Sequence, residues 1–144
     1  MAEQRTVLLI DDEPSLLRIN TRALEREGYY VLPARNLREA RSLIKGVAFH
    51  AAVLDVEMED GSGLDFCREL RNYSPLSKLP IVFLASLKGE EYEKAGYAAG
   101  ADDYMTKPYR IERLVKSLNN LIEQTAEQTA AQSAQRFSAK ALAC

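Results

Sequence analysis

The chain has 144 residues, 47% of them hydrophobic and 28% charged, with a formal net charge of −2. That suits one globular domain around a single core and gives no cationic footprint for nucleic acid or an anionic membrane. The two cysteines, Cys67 and Cys144, form no metal or redox motif, and the apolar run after Arg5 is too short for a signal peptide or a membrane span, so a cytoplasmic protein is expected.

Val7 to Ile10 is a continuous apolar run, as expected of a strand buried on both faces. Asp11-Asp12-Glu13-Pro14 follows, with proline at the first helical position. The helix carries Leu16, Leu17, Asn20, Ala23 and Leu24 on one side and stops at Gly28. Tyr29 to Pro33 is a second strand. Asn36 caps a helix bearing Leu37, Ala40, Leu43 and Ile44, which ends at Gly46. His50 to Leu54 is the third strand and leads into Asp55 and an acidic loop reaching Gly63. Ser62 caps a helix with Leu64, Cys67 and Leu70 facing inward. Pro80 to Leu84 is the fourth strand, and Glu90 to Ala99 a weakly amphipathic helix before Gly100. Asp102 to Met105 is a short fifth strand. Ile111, Leu114, Val115, Leu118, Leu121 and Ile122 form the clearest helical stripe.

Five alternations of strand and helix predict an open, doubly wound parallel sheet with helices on both faces. The chain is too short for an eight-stranded barrel. Residues 5–123 are expected to form the domain. Glu123-Gln124-Thr125-Ala126 repeats as Glu127-Gln128-Thr129-Ala130, and residues 124–144 form a Gln/Ala-rich stretch that fits either a frayed tail or a helical connector.

With strand order 2-1-3-4-5, Asp11, Asp12 and Asp55 converge at the crevice where the winding reverses. Acids at a helix start also serve as caps. The matched strand position of the two clusters favours a metal site, because adjacent carboxylates repel unless a cation sits among them. Oxygen ligands with room for water suit Mg²⁺, with Mn²⁺ as a substitute. Lys107 can reach over this crevice. Three carboxylates, one divalent cation and one lysine sum to zero charge, so phosphorylating Asp55 leaves the site only slightly negative. This is the electrostatic pattern of phosphoryl transfer to a carboxylate.

Val7 to Pro14, Leu54-Asp55-Val56-Glu57-Met58 with Gly63-Leu64, Pro80 to Leu84, and Gly100 to Tyr109 together resemble the receiver domain of bacterial two-component response regulators. The resemblance covers about residues 5–123. It implies a flavodoxin-like (βα)5 fold and an Asp55 that takes a phosphoryl group from a sensor histidine kinase or histidine phosphotransfer protein. It further implies Mg²⁺ held by Asp12 and Asp55, by Asp11 through water, and by the Glu57 backbone carbonyl. Lys107 would contact the phosphoryl group, the Lys107–Pro108 bond would be cis, and Tyr104 would be the aromatic switch.

The sequence departs from the family pattern in two places. Ala85 stands where a switch hydroxyl is usual and Ser86 follows it, so the order is reversed: either Ser86 contacts the phosphoryl group through a shifted loop, or the site lacks this hydroxyl. Glu59 replaces a common proline, and Glu57 adds an acid beside the metal position. Output is expected through protein contacts on the face made by the fourth helix, fifth strand and fifth helix, where Tyr104, Tyr109, Arg110 and Arg113 are placed, with a homodimer as one form. No direct nucleic-acid or membrane binding is expected. Three other readings stand beside this one. The first is the receiver portion of a longer regulator, and the second a degenerate receiver. The third is a haloacid-dehalogenase-like phosphatase, which lacks a counterpart of Asp11-Asp12 and room for a cap. The receiver reading makes the chain a phosphoacceptor, not a multiple-turnover enzyme.

Overall fold

The structure is a computed structural model that describes residues 4–143, with side-chain surroundings given for all of these except Ser74 and residues 128–143. Five strands lie in one parallel sheet: β1 (Thr6–Ile10), β2 (Tyr30–Ala34), β3 (Ala51–Asp55), β4 (Ile81–Ala85) and β5 (Asp103–Thr106). Their spatial order is 2-1-3-4-5. The helices between them are α1 (Pro14–Arg26), α2 (Leu37–Gly46), α3 (Gly63–Asn72), α4 (Glu90–Ala98) and α5 (Ile111–Ala143).

The two faces of the sheet build two cores. Val7, Leu9, Val53 and Val82 pack under α1 and α5 with Leu17, Leu24, Leu114 and Leu118. Leu8, Leu54, Ile81 and Phe83 pack under α2 and α3 with Leu37, Phe66 and Leu70. Both faces of β3 are covered, and every residue of it is buried. Each fully buried Leu, Ile or Phe contributes about 1.5–3 kcal/mol. These layers hold the strand ends in fixed positions, and the site depends on that.

The second to fifth strands each begin one residue later than apolarity alone suggests. Backbone pairing sets their ends. Just before β5, Asp102 donates its main-chain N–H to the Ile81 carbonyl at 2.8 Å, while its carboxylate, a side-chain group, accepts the Ile81 N–H at 2.9 Å. Two short features went unread in the sequence. Glu57–Met58 pairs antiparallel with Gly61–Ser62 in the loop after β3, and Ser74–Leu76 forms a 3-10 turn. Asn36 caps α2 through the Glu39 N–H at 2.8 Å, and Ser62 caps α3 through the Leu64 N–H at 3.2 Å. Asp60 also accepts the Leu37 and Arg38 N–H groups, tying the acidic loop to the start of α2.

Helix α5 is 33 residues long, about 50 Å at the usual helical rise. Its buried stripe ends at Ile122. Expectations about the packing of the later Gln/Ala segment and about Cys144 lie outside the described side chains. Among the described residues no helix is long and apolar enough to cross a membrane.

Candidate phosphoryl-transfer site

Asp11 follows β1 and Asp55 ends β3, and the two strands are hydrogen-bonded neighbours, with Ile10 opposite Leu54. Parallel register therefore brings the two carboxylates together at one sheet edge. Asp11, Asp12 and Asp55 each offer an oxygen within 4.8 Å of the others. Asp11 is 2% exposed and Asp55 is 7% exposed.

The carboxylates are oriented by backbone N–H groups. Asp11 Oδ1 accepts from Glu13 at 3.0 Å, Asp12 Oδ2 from Glu59 at 3.1 Å, and Asp55 Oδ1 from Glu57 at 3.3 Å. These contacts answer the capping question for α1. The N-cap residue is Glu13, whose side chain makes no cap bond, while Asp11 bonds in the turn just ahead of it and Asp12 reaches across to the β3–α3 loop.

Lys107 leaves the end of β5. Its Nζ donates to Asp55 Oδ2 at 3.0 Å and lies 3.5 Å from Asp11 Oδ2. Burial works against the ammonium charge, but the hydrogen bond to Asp55 and the charges of Asp55 and Asp11 outweigh it, so the Lys107 pKa is raised. Burial also raises the Asp55 pKa, and Lys107 offsets this only in part. One lysine thus faces three carboxylates. Asp11 Oδ2 is buried without a hydrogen-bond partner. An orphaned carboxylate oxygen among other oxygen donors fits a hard divalent cation.

A cleft of about 380 Å³ opens over these groups, lined by the three aspartates, Glu57, Glu59, Ser86 and Lys107 among others. Behind the lining residue Val56 lies Gly63, whose N–H donates to the Val56 carbonyl at 2.7 Å. A Cβ at Gly63 would sit 2.2 Å from the Asp55 carbonyl oxygen.

Ala85 is buried and brings only a methyl group, while its carbonyl accepts the Lys107 N–H at 2.7 Å. Ser86 is exposed at the cleft wall. The Lys107–Pro108 bond is cis. Tyr104 and Tyr109 do not lie on the outer face of α4, β5 and α5 where the sequence places them. Tyr104 is 3% exposed, stacks edge-on to Phe83, and donates its hydroxyl to the Leu87 carbonyl at 2.7 Å. Tyr109 is half-buried and turned towards α1, where it meets Asn20. Inward-pointing residues of an edge strand look the same in sequence as outward ones unless the register is known. Arg110 and Arg113 are exposed as expected, and the exposed aromatics on this face are Tyr92 and Tyr97. The Asn20–Tyr109 and Asp60–α2 contacts were not foreseen. A polar residue in the buried stripe of α1 was the available signal for the first.

Residues 7–119 match the model of the response regulator receiver domain. The chain belongs to the response-regulator receiver family. Among its relatives, "Probable transcriptional regulatory protein TcrX" of Mycobacterium tuberculosis is 38% identical over 90% of this chain and 55% of its own length. Response regulator MprA of the same species is 37% identical over 92% of this chain and 57% of its own. The receiver therefore spans about half the length of the curated relatives it matches. Among solved structures, the chemotaxis response regulator CheY4 of Vibrio cholerae superposes with a TM-score of 0.78 at 29% identity, covering 83% of this chain and 99% of its own. The receiver domain of Francisella response regulator 1452 gives 0.80 at 28%, covering 85% and 99%.

Proposed function

We propose that this receiver accepts a phosphoryl group on Asp55 from the phosphohistidine of a sensor histidine kinase or histidine phosphotransfer protein. The observation that carries the reading is Lys107 held against Asp55 and Asp11 within a cluster of three carboxylates, where a buried Asp11 oxygen makes no hydrogen bond. Asp11, Asp12, Asp55 and the Glu57 backbone carbonyl would hold Mg²⁺. When bound, the cation neutralises carboxylate charge and polarises the phosphoryl oxygens.

The chain's own groups account for the rest. An Asp55 carboxylate oxygen attacks phosphorus as the phosphorus–nitrogen bond breaks; the leaving imidazole nitrogen keeps that bond's electron pair and takes a proton from water. Lys107 stays protonated at neutral pH and neutralises charge on the transferred group. The Glu13, Glu57 and Glu59 N–H groups keep the carboxylates aimed, which lowers the reorganisation needed at transfer. Glu57 itself is an exposed acid on the cleft wall, where it would strengthen Mg²⁺ binding or orient water for dephosphorylation. Equal acyl-phosphate lifetimes and Mg²⁺ affinities for wild type and Glu57→Gln would remove that role.

Ala85 leaves the switch position without a hydroxyl, and Tyr104 already sits inside. The exposed face of α4, β5 and α5, with Tyr92, Tyr97, Arg110 and Arg113, is the proposed output surface. A second reading, a receiver unit of a longer regulator with residues 124–144 as connector, is favoured by the relatives, which are about twice the matched length.

Incubation with a small phosphodonor and Mg²⁺ should add one phosphoryl group per chain by intact mass, with none on Asp55→Asn. No mass shift, together with no spectroscopic response to beryllofluoride, would overturn the phosphoacceptor reading. Repeated turnover of a phosphate monoester would point to a phosphatase instead.

A further inference from the structure

We infer that Asn20 and Tyr109 form a strut that fixes the aim of Lys107 across the cleft, which makes both positioning residues for the transfer proposed above, on which this inference rests. Asn20 is 5% exposed in the stripe that α1 otherwise fills with Leu17 and Leu24. A buried amide is retained at a cost unless it is paired, and an apolar residue would fill the same space without that demand. Asn20 Nδ2 donates to Tyr109 Oη at 2.7 Å.

The two segments joined here are the two that build the site. Helix α1 begins at Pro14, directly after Asp11 and Asp12, and Tyr109 follows Lys107 by two positions. The main chain of Lys107 is held on its other side by the Ala85 carbonyl. Its root is therefore suspended between β4 and α1. A lysine has four rotatable carbons and a mobile point charge, so its ammonium reaches one place only if its root is fixed. That place is 3.0 Å from Asp55 and 3.5 Å from Asp11.

An internal control exists. Tyr29 donates its hydroxyl to Asn119 Oδ1, tying the start of β2 to α5 by the same kind of pair at the far edge of the sheet. A purely structural role would make the two pairs equivalent.

The test compares N20L/Y109F, which replaces the strut by apolar groups, with Y29F. Thermal unfolding checks that each folds, and Y109F alone serves if the double variant does not. The readouts are hydrogen exchange of the Lys107 ammonium by NMR in metal-free protein, and affinity for beryllofluoride with Mg²⁺. The expected result is faster Lys107 exchange and about tenfold weaker beryllofluoride binding in N20L/Y109F, with Y29F unchanged in both. Wild-type values for N20L/Y109F in both readouts overturn the strut. Faster exchange in a protein whose wild type ignores beryllofluoride supports the strut and removes the phosphoacceptor reading instead.

Discussion

The two edges of the sheet handle charge in opposite ways. At the amino edge, Arg71 is paired at every nitrogen. Its Nε donates to the Gly100 carbonyl at 2.8 Å, Nη1 to Leu79 at 2.6 Å and Ser77 at 3.3 Å, and Nη2 to Asp102 at 3.0 Å. Asp102 in turn accepts the Ile81 N–H. At the carboxyl edge, one lysine faces three acids and an oxygen of Asp11 has no hydrogen-bond partner. The first arrangement is satisfied by its own hydrogen bonds. The second is left with an excess of negative charge that a bound cation would relieve. Unsatisfied polar groups on a rigid frame mark a place where something binds.

Four experiments would break or sharpen this contrast. The largest effect is expected from Gly63→Ala. The added methyl meets the Asp55 carbonyl oxygen at 2.2 Å, so main chain must move, at about 3 kcal/mol of stability or more. Beryllofluoride affinity should fall as well, and chemical denaturation with a binding titration checks both. Arg71→Ala should cost about 3 kcal/mol by leaving carbonyls and Asp102 unpaired. It should leave beryllofluoride affinity intact, and a parallel loss of affinity would show that the edges are coupled. Tyr104→Phe removes the bond to Leu87 and should cost about 1 kcal/mol. Faster amide exchange confined to the β4–α4 loop is the expected signature.

The last prediction has the smallest effect and the opposite sign. Burial holds the Asp55 pKa above its usual value in the metal-free fold. The folded state therefore binds the Asp55 proton more tightly than the unfolded chain does. Wild type gains stability as pH falls through the folded pKa towards the unfolded one. Asp55→Asn should consequently be the more stable protein at neutral pH without metal, with the gap closing on acidification and on adding Mg²⁺. Thermal melts across that pH range check the sign. An Asn variant less stable than wild type at neutral pH would mean that the metal-free site is not under tension.

Much of this was legible in the residues themselves. Runs such as Val7–Ile10 and Val53–Leu54 mark strands buried on both faces, because only a parallel sheet covered by helices needs them. Asp11, Asp12 and Asp55 stand at the carboxyl ends of such runs and Lys107 after a shorter, mixed one, so alternation and winding place all four at one edge. Asn36 and Ser62 cap their helices through contacts a few residues away, which local sequence encodes.

What only the tertiary structure decided depends on contacts distant in the chain. Tyr104 and Tyr109 have the same composition signal as surface aromatics. Packing turned one towards Phe83 and the other towards Asn20, 89 positions away. Asp60 looked like a loop acid, yet it caps a helix 23 positions earlier. The distance from Lys107 to each carboxylate likewise follows from how β1, β3, β4 and α1 stack. The sequence by itself determined which groups meet and at which edge, because periodicity and strand order are properties of local pattern. Aim, burial and the imbalance of charge emerged only once two cores had closed on either side of the sheet.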